Sequence, residues 1–335
     1  MKVLLNCSLP FALAHGGWEI QIEQTQAALL AIGIEAEPVQ WWNNRQTGDL
    51  IHYFGRMPET QVALAQKKHI KVVMAELLTA PGSRSPGQLR RQKLIRQAME
   101  RFAPQQFLAA FNWKSYQLAD ACVANTHWEA HLMRYLFAAP PERVHVIPNG
   151  VESVFFNSPT SPRGEWLVCT ATITERKRVL ELAQAAVAAQ TPVWIIGQAY
   201  ANNDPYAAKF FALAKQNPGL IRYEGSIGDR SKLAQIYRAA RGFVLLSAME
   251  TRSLSAEEAA ACECPLLLSD LPWARSVFNE QASYCPIGLT AETAARLRQF
   301  YDAAPTLPAP LKPATWQEVA HQLKALYERV LSVSR

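Results

Sequence analysis

Apolar residues along this chain fall into short continuous runs and longer stretches with helical spacing. Runs at 3–5, 34–39, 50–54, 70–74 and 120–126 predict buried parallel strands in the first half. The second half starts afresh with runs at 166–170, 192–197, 220–227, 242–246 and from Pro265 onwards. Between them, 18–32, 127–137, 231–239, 272–277, 291–301 and 316–330 read as helices, and another is expected to begin near Ser255. Strand and helix alternate throughout, which predicts an α/β chain with parallel sheets. Pro148-Asn149-Gly150 supplies a turn midway, and Pro159, Pro162 and Gly164 follow it, as suits a hinge between two domains.

Composition narrows the class. The chain has 335 residues, 49% of them hydrophobic, enough for a sizeable core and about two domains. Its net charge of +6 fits a phosphate-bearing substrate or an anionic surface and requires neither. The six cysteines, at 7, 122, 169, 262, 264 and 285, lack zinc-like spacing with histidine and read as reduced thiols of a cytoplasmic protein. No apolar run reaches the roughly 18 residues of a membrane span, and residues 1–6 lack the apolar core of a secretory signal.

Candidate chemistry sits in the loops after strands. Beyond the first run lie Gly16 and Gly17, a turn that also opens nucleotide-binding α/β units. His52 lies inside an apolar run and reads as a core histidine; His127 and His131 share a helix face, but a third metal ligand is missing. Arg176, Lys177 and Arg178 crowd the start of a helix, where the dipole disfavours cations, so an anion is expected among them. Glu250 falls in the loop beyond 242–246 and Glu258 in the helix that follows; Ser255 and Glu258 also fit a capping box. Residues 84–101 carry Arg84, Arg90, Arg91, Lys93, Arg96 and Arg101 against Glu100, interleaved with apolar positions. That segment reads either as a basic amphipathic helix for an anionic membrane surface or lipid diphosphate, or as a solvated helix face. No nucleic-acid-binding motif accompanies the charge, so nucleic acid is not an expected partner.

The run Ser247, Glu250, Leu254, Glu258, Ala259, Pro265 resembles the E-x7-E signature of retaining GT-B glycosyltransferases of the family-4 kind. Ile147-Pro148-Asn149-Gly150-Val151-Glu152 resembles that family's Ile-Pro-Asn-Gly-Val-Asp. The resemblance implies a GT-B fold, two Rossmann-like domains facing each other across a cleft: 1–157 on the acceptor side, 158–310 binding the nucleotide sugar, and 311–335 packing back on the first. It further implies that Glu250 bonds hydroxyls of the donor sugar, that Glu258 bonds the ribose, and that Lys177, helped by Arg176, holds the diphosphate. Gly16, Gly17, Ser226, Ile227 and the loop Thr251, Arg252, Ser253, Leu254 are the remaining expected donor contacts. The implied reaction is metal-independent transfer from a nucleoside diphosphate sugar to a glycan or lipid-linked acceptor, by a cytoplasmic protein that can sit peripherally at the membrane. The chain departs from the pattern where Thr172 replaces an arginine, where Arg252 and Ser253 replace Phe and Gly, and where Glu76 and Thr79 occupy the place of a histidine. Those departures leave a catalytically inert scaffold as the alternative, and a phosphorylase or epimerase on the same fold as a third option.

Overall fold

The computed structural model describes residues 1–11, 16–157, 162–201 and 203–333, so Pro159 of the expected hinge lies outside the described residues. The chain divides into two compact units, Met1–Gly150 with Ala314–Arg335, and Val151–Pro313. The sequence-based boundary at 157 falls seven residues later: Phe155 lies in the core of the second unit.

The first unit holds a six-stranded sheet built from β1 (Lys2–Cys7), β2 (Glu35–Pro38), β3 (Leu50–Phe54), β4 (Lys71–Ala75), β5 (Ala121–Ala124) and β6 (Val144–Val146). Its order is β2-β1-β3-β4-β5-β6, and every pairing is parallel. All of β4 is buried, including Lys71, whose ammonium lies 3.4 Å from Asp120 and donates to the Val333 carbonyl at 2.9 Å. A charge in a buried strand is tolerable only with such partners. The helix Trp316–Ser332 starts from a capping box formed by Thr315 and Glu318. It buries Val319, Leu323, Leu326 and Val330 along one stripe. Its Tyr327 hydroxyl meets Nδ1 of buried His52 at 2.6 Å.

The second unit holds β7 (Leu167–Thr170), β8 (Val193–Ile196), β9 (Ile221–Tyr223), β10 (Gly242–Leu245), β11 (Leu266–Ser269) and β12 (Ser283–Cys285). These pair in parallel in the order β12-β11-β10-β7-β8-β9. Within this unit that is the doubly wound 3-2-1-4-5-6 order, with β7 as strand 1 and β10 as strand 4. Among the helices absent from the sequence reading, the two longest are Glu59–Lys67 and Pro205–Gln216. The second has a legible start, since Asp204 caps it and Pro205 is its first residue. β12 was also not anticipated; at three residues it is too short to show a pattern.

Candidate donor site at the carboxyl edge of the second sheet

In an open parallel sheet, ligands bind outside the carboxyl ends of the strands, at the point where strand order reverses. In the second sheet that point lies between β7, from which the chain runs outward to β8 and β9, and β10, from which it runs the other way. The loops leaving these two strands carry the residues of interest. After β7, Thr174 accepts from the Lys177 amide at 3.4 Å and closes a short turn over Glu175–Lys177. Arg178 takes a left-handed conformation, φ 53°, and the helix Val179–Ala188 starts there without a side-chain cap. Three cations thus sit at a helix N-terminus, the end that favours anions.

The anion that two of them, Lys177 and Arg176, meet here is Glu250. Its carboxylate forms a close ion pair with the Lys177 ammonium and accepts from Arg176 Nη1 at 3.2 Å. Arg176 also donates to the Met249 carbonyl at 2.9 Å, and its own carbonyl accepts from the Ala248 amide at 2.8 Å. The two loops are therefore joined through backbone and side chain, although 73 positions separate Lys177 from Glu250. Glu250 is 7% exposed, whereas the Arg176 side chain remains 36% exposed.

A second cluster surrounds Glu258. Burial raises its carboxyl from 4.5 to about 7, against the pull of Arg230. Arg230 bridges Glu258 and Glu152, with Nε 3.0 Å from the latter, and its guanidinium lies 4.8 Å above the Phe155 ring. The Tyr237 hydroxyl donates to the other Glu258 oxygen at 3.4 Å. Sequence reasoning did not anticipate Arg230, because a lone arginine opening a helix has no spacing signature.

The 250–258 crossover differs from expectation at its cap. The helix runs Leu254–Ala261, and Ser253 caps it by accepting from the Ala256 amide at 3.3 Å. The Ser255–Glu258 capping box does not form: Glu258 lies beyond the first turn and turns to Arg230 instead. Arg252 is held by the buried Glu257 through Nε at 2.7 Å. Burial raises the Glu257 carboxyl, and Arg252 opposes that rise. Thr251 and Ser253 are buried, and Leu254 is half-buried.

The β8 and β9 side of the edge is laced together. Ile173 donates to the Gln198 carbonyl at 3.0 Å and Gly197 to the Gly225 carbonyl at 2.9 Å. Gly197 has φ 151°, and a Cβ there would stand 1.9 Å from the Ala171 oxygen, so the position demands glycine. Ser226, exposed, reaches the Gln198 side chain at 3.3 Å, while Ile227 packs partly into the core.

Strand order in the first sheet reverses between β1 and β3. Gly16, φ 131°, stands before the helix Gly17–Ala31, again without a side-chain cap. Glu76, after β4, takes the Arg56 guanidinium in two hydrogen bonds, at 2.8 and 3.0 Å, and a close one from the Tyr116 hydroxyl. Burial drives His52 from 6.5 down to about 3, consistent with a neutral core imidazole. His131 stacks between Trp128 and Tyr135, and no group of three metal-capable side chains occurs among the described residues. All six cysteines are free, five of them buried.

Known proteins share this fold. Residues 39–154 match the model of glycosyltransferase family 4. Sucrose-phosphate synthase of Thermosynechococcus elongatus superposes with a TM-score of 0.71 at 17% identity, covering 100% of both chains. This chain has a GT-B glycosyltransferase fold, family-4-like. HepE of Anabaena, solved with UDP-glucose, shares that GT-B fold with a TM-score of 0.65 at 14% identity over 98% of each chain. In sequence, the D-inositol 3-phosphate glycosyltransferase of Jonesia denitrificans is 31% identical over 175 residues, 45% of this chain. The alignment covers 41% of that relative, so this GT-B chain spans about two fifths of the curated relative it matches.

Proposed function

We propose that this chain is a retaining glycosyltransferase that takes its sugar from a nucleoside diphosphate sugar and needs no metal ion. The observation that carries the reading is the Lys177–Arg176–Glu250 cluster at the β7/β10 reversal. Glu250 holds the two cations in the place where a diphosphate would lie. When the donor binds, its phosphate oxygens take over the ammonium and guanidinium, in charge-assisted bonds about twice as strong as neutral ones. Glu250 is thereby released to accept from hydroxyls of the donor sugar. As the bond between the anomeric carbon and the diphosphate oxygen breaks, its electron pair goes to the diphosphate. The acceptor hydroxyl oxygen bonds to that carbon on the same face, its proton passes to a departing phosphate oxygen, and Lys177 and Arg176 stabilise the charge that develops there. Glu258, with Arg230 and Glu152, is the proposed ribose site. Gly16, Gly17, Ser226, Ile227 and the backbone of 251–254 are the proposed remaining contacts.

UDP is the first nucleotide to try, since HepE was solved with UDP-glucose. The acceptor is proposed to be a glycan or a lipid-linked group. The helix Pro86–Phe102, with Leu94 59% and Phe102 79% exposed, is the proposed contact with an anionic membrane surface for a cytoplasmic, peripheral protein.

A second reading, sugar-nucleotide binding without turnover, is favoured by two particulars. Thr172, where the resembled pattern has arginine, leaves its hydroxyl buried without a hydrogen-bond partner among the described residues. Glu76, where that pattern has histidine, is committed to Arg56 and Tyr116. Incubating the protein with UDP-glucose, with and without acceptor mixtures and with EDTA throughout, separates the readings. Release of UDP supports the transferase; thermal stabilisation by UDP without turnover supports the scaffold. Neither effect, across a panel of nucleotide sugars, overturns both.

A further inference from the structure

We propose that the first unit contains a binding pocket for a single-chain anionic amphiphile, a phosphate-like head on an apolar tail. The pocket lies between the helices Pro86–Phe102 and His127–Phe137 and encloses about 300 Å³, at the small end of ligand sites. Arg84, Arg91 and Arg96 line it from one side, and Trp113, Leu136 and Phe137 supply apolar wall. This deepens the reading of the Pro86–Phe102 helix given above, from a charged face to a defined cavity, and it stands apart from the donor site because every lining residue belongs to the first unit.

Three observations select the ligand chemistry. First, three arginines line the pocket; among the described residues Glu100 pairs with Arg96 through Nη1, and Arg84 Nη1 donates to the Gln92 amide oxygen. Second, Arg96 is 8% exposed, yet its Nε has no hydrogen-bond partner among the described residues. A buried guanidinium N–H left unpaired is costly, and since this Nε has almost no accessible surface, Arg96 would have to turn toward the cavity for an anion there to remove that cost. Third, the surface available inside the pocket is overwhelmingly apolar, so a bare inorganic anion would leave most of the cavity unfilled. Head and tail together satisfy both halves.

The shared chemistry, an anionic head with an alkyl tail, can come from a membrane lipid or from a free amphiphile, and the test distinguishes them. Full-length protein is titrated calorimetrically with monomeric decyl phosphate, with inorganic phosphate, and with decyl maltoside, which keeps the tail and lacks the charge. Saturable one-site binding of decyl phosphate alone is the expected result. Arg91→Gln, at an exposed position, should weaken it about tenfold or more, the scale of one charge-assisted bond; Met99→Trp should block the cavity. Co-sedimentation with phosphatidylglycerol vesicles, weakened by the same two variants, identifies a membrane lipid as the source. Monomer binding without co-sedimentation identifies a free amphiphile. The proposal is overturned if decyl phosphate does not bind, if decyl maltoside binds as tightly, or if both variants bind like the parent protein. Thermal stabilisation by UDP, measured alongside, reports on the second unit, so either reading can fail without the other.

Discussion

The two sheets have six parallel strands each and handle their polar residues differently. In the second unit, charge gathers at the carboxyl edge: Lys177 and Arg176 on Glu250, Arg230 on Glu258 and Glu152. In the first unit the carboxyl edge carries the Glu76–Arg56 pair, and a histidine is held in the interior. His52 pairs with Tyr327, and Arg56 packs against Tyr116 and Phe137 while it binds Glu76. Strand order differs too, β2-β1-β3-β4-β5-β6 against a reversed 3-2-1-4-5-6. The lesson is that one architecture places a reversal of strand order in each unit, while side chains on the loops decide where charge gathers.

The sharpest way to break this contrast is to disarm the second unit. Lys177→Met should lower transfer or donor hydrolysis roughly 10²–10³-fold, the cost of losing one preorganised donor to developing charge. Turnover within threefold of the parent would refute the role given to this residue. Next in size is Gly197→Ala, which forces a left-handed φ and a clash with the Ala171 carbonyl. A loss of about 3 kcal/mol or more is expected in urea unfolding.

Glu258 offers a test by pH. Folded, it holds its proton to about pH 7; unfolded, to about 4.5. The folded state therefore binds more protons between those values, and this residue's contribution to stability falls as pH rises through that window. The fall is on the order of 3 kcal/mol. Glu258→Gln should remove that slope from the difference between variant and parent; parallel curves from pH 4.5 to 7.5 would argue against the shift. Smallest is the change aimed at the first unit. Tyr327→Phe deprives buried His52 of its partner and should cost about 1–2 kcal/mol in unfolding free energy, with donor turnover unchanged.

Much of this was legible before the coordinates because buried parallel strands are written as continuous apolar runs. Gly242–Leu245 and Lys71–Ala75 are buried throughout, and both stood out on composition alone. That the 176–178 turn and Glu250 approach each other was also legible, since charged residues in loops after strands collect on one edge of a parallel sheet. Their direct ion pair was not, because the sequence suggested an outside anion among the cations. The cap at 253 was not. Ser253 and Ser255 are chemically equivalent candidates, and only the backbone's entry into the helix chooses between them. Nor was the bridge from Arg230 to Glu152 and Glu258, since spacings of 78 and 28 positions carry no periodic signal. The arginine-lined cavity stayed hidden for the same reason: the pattern located the helix, while its walls come from Trp113 and from the end of His127–Phe137.

The first unit is discontinuous, closed by a segment that begins at Ala314. A ribosome therefore finishes the whole second unit before it releases the helix that supplies Tyr327. Until that release the interior around His52 lacks its cover and presents an open apolar face to chaperones. Chains truncated after residue 313 and released should thus carry a native second unit beside an incomplete first one, with protease sensitivity concentrated in the earlier-made half.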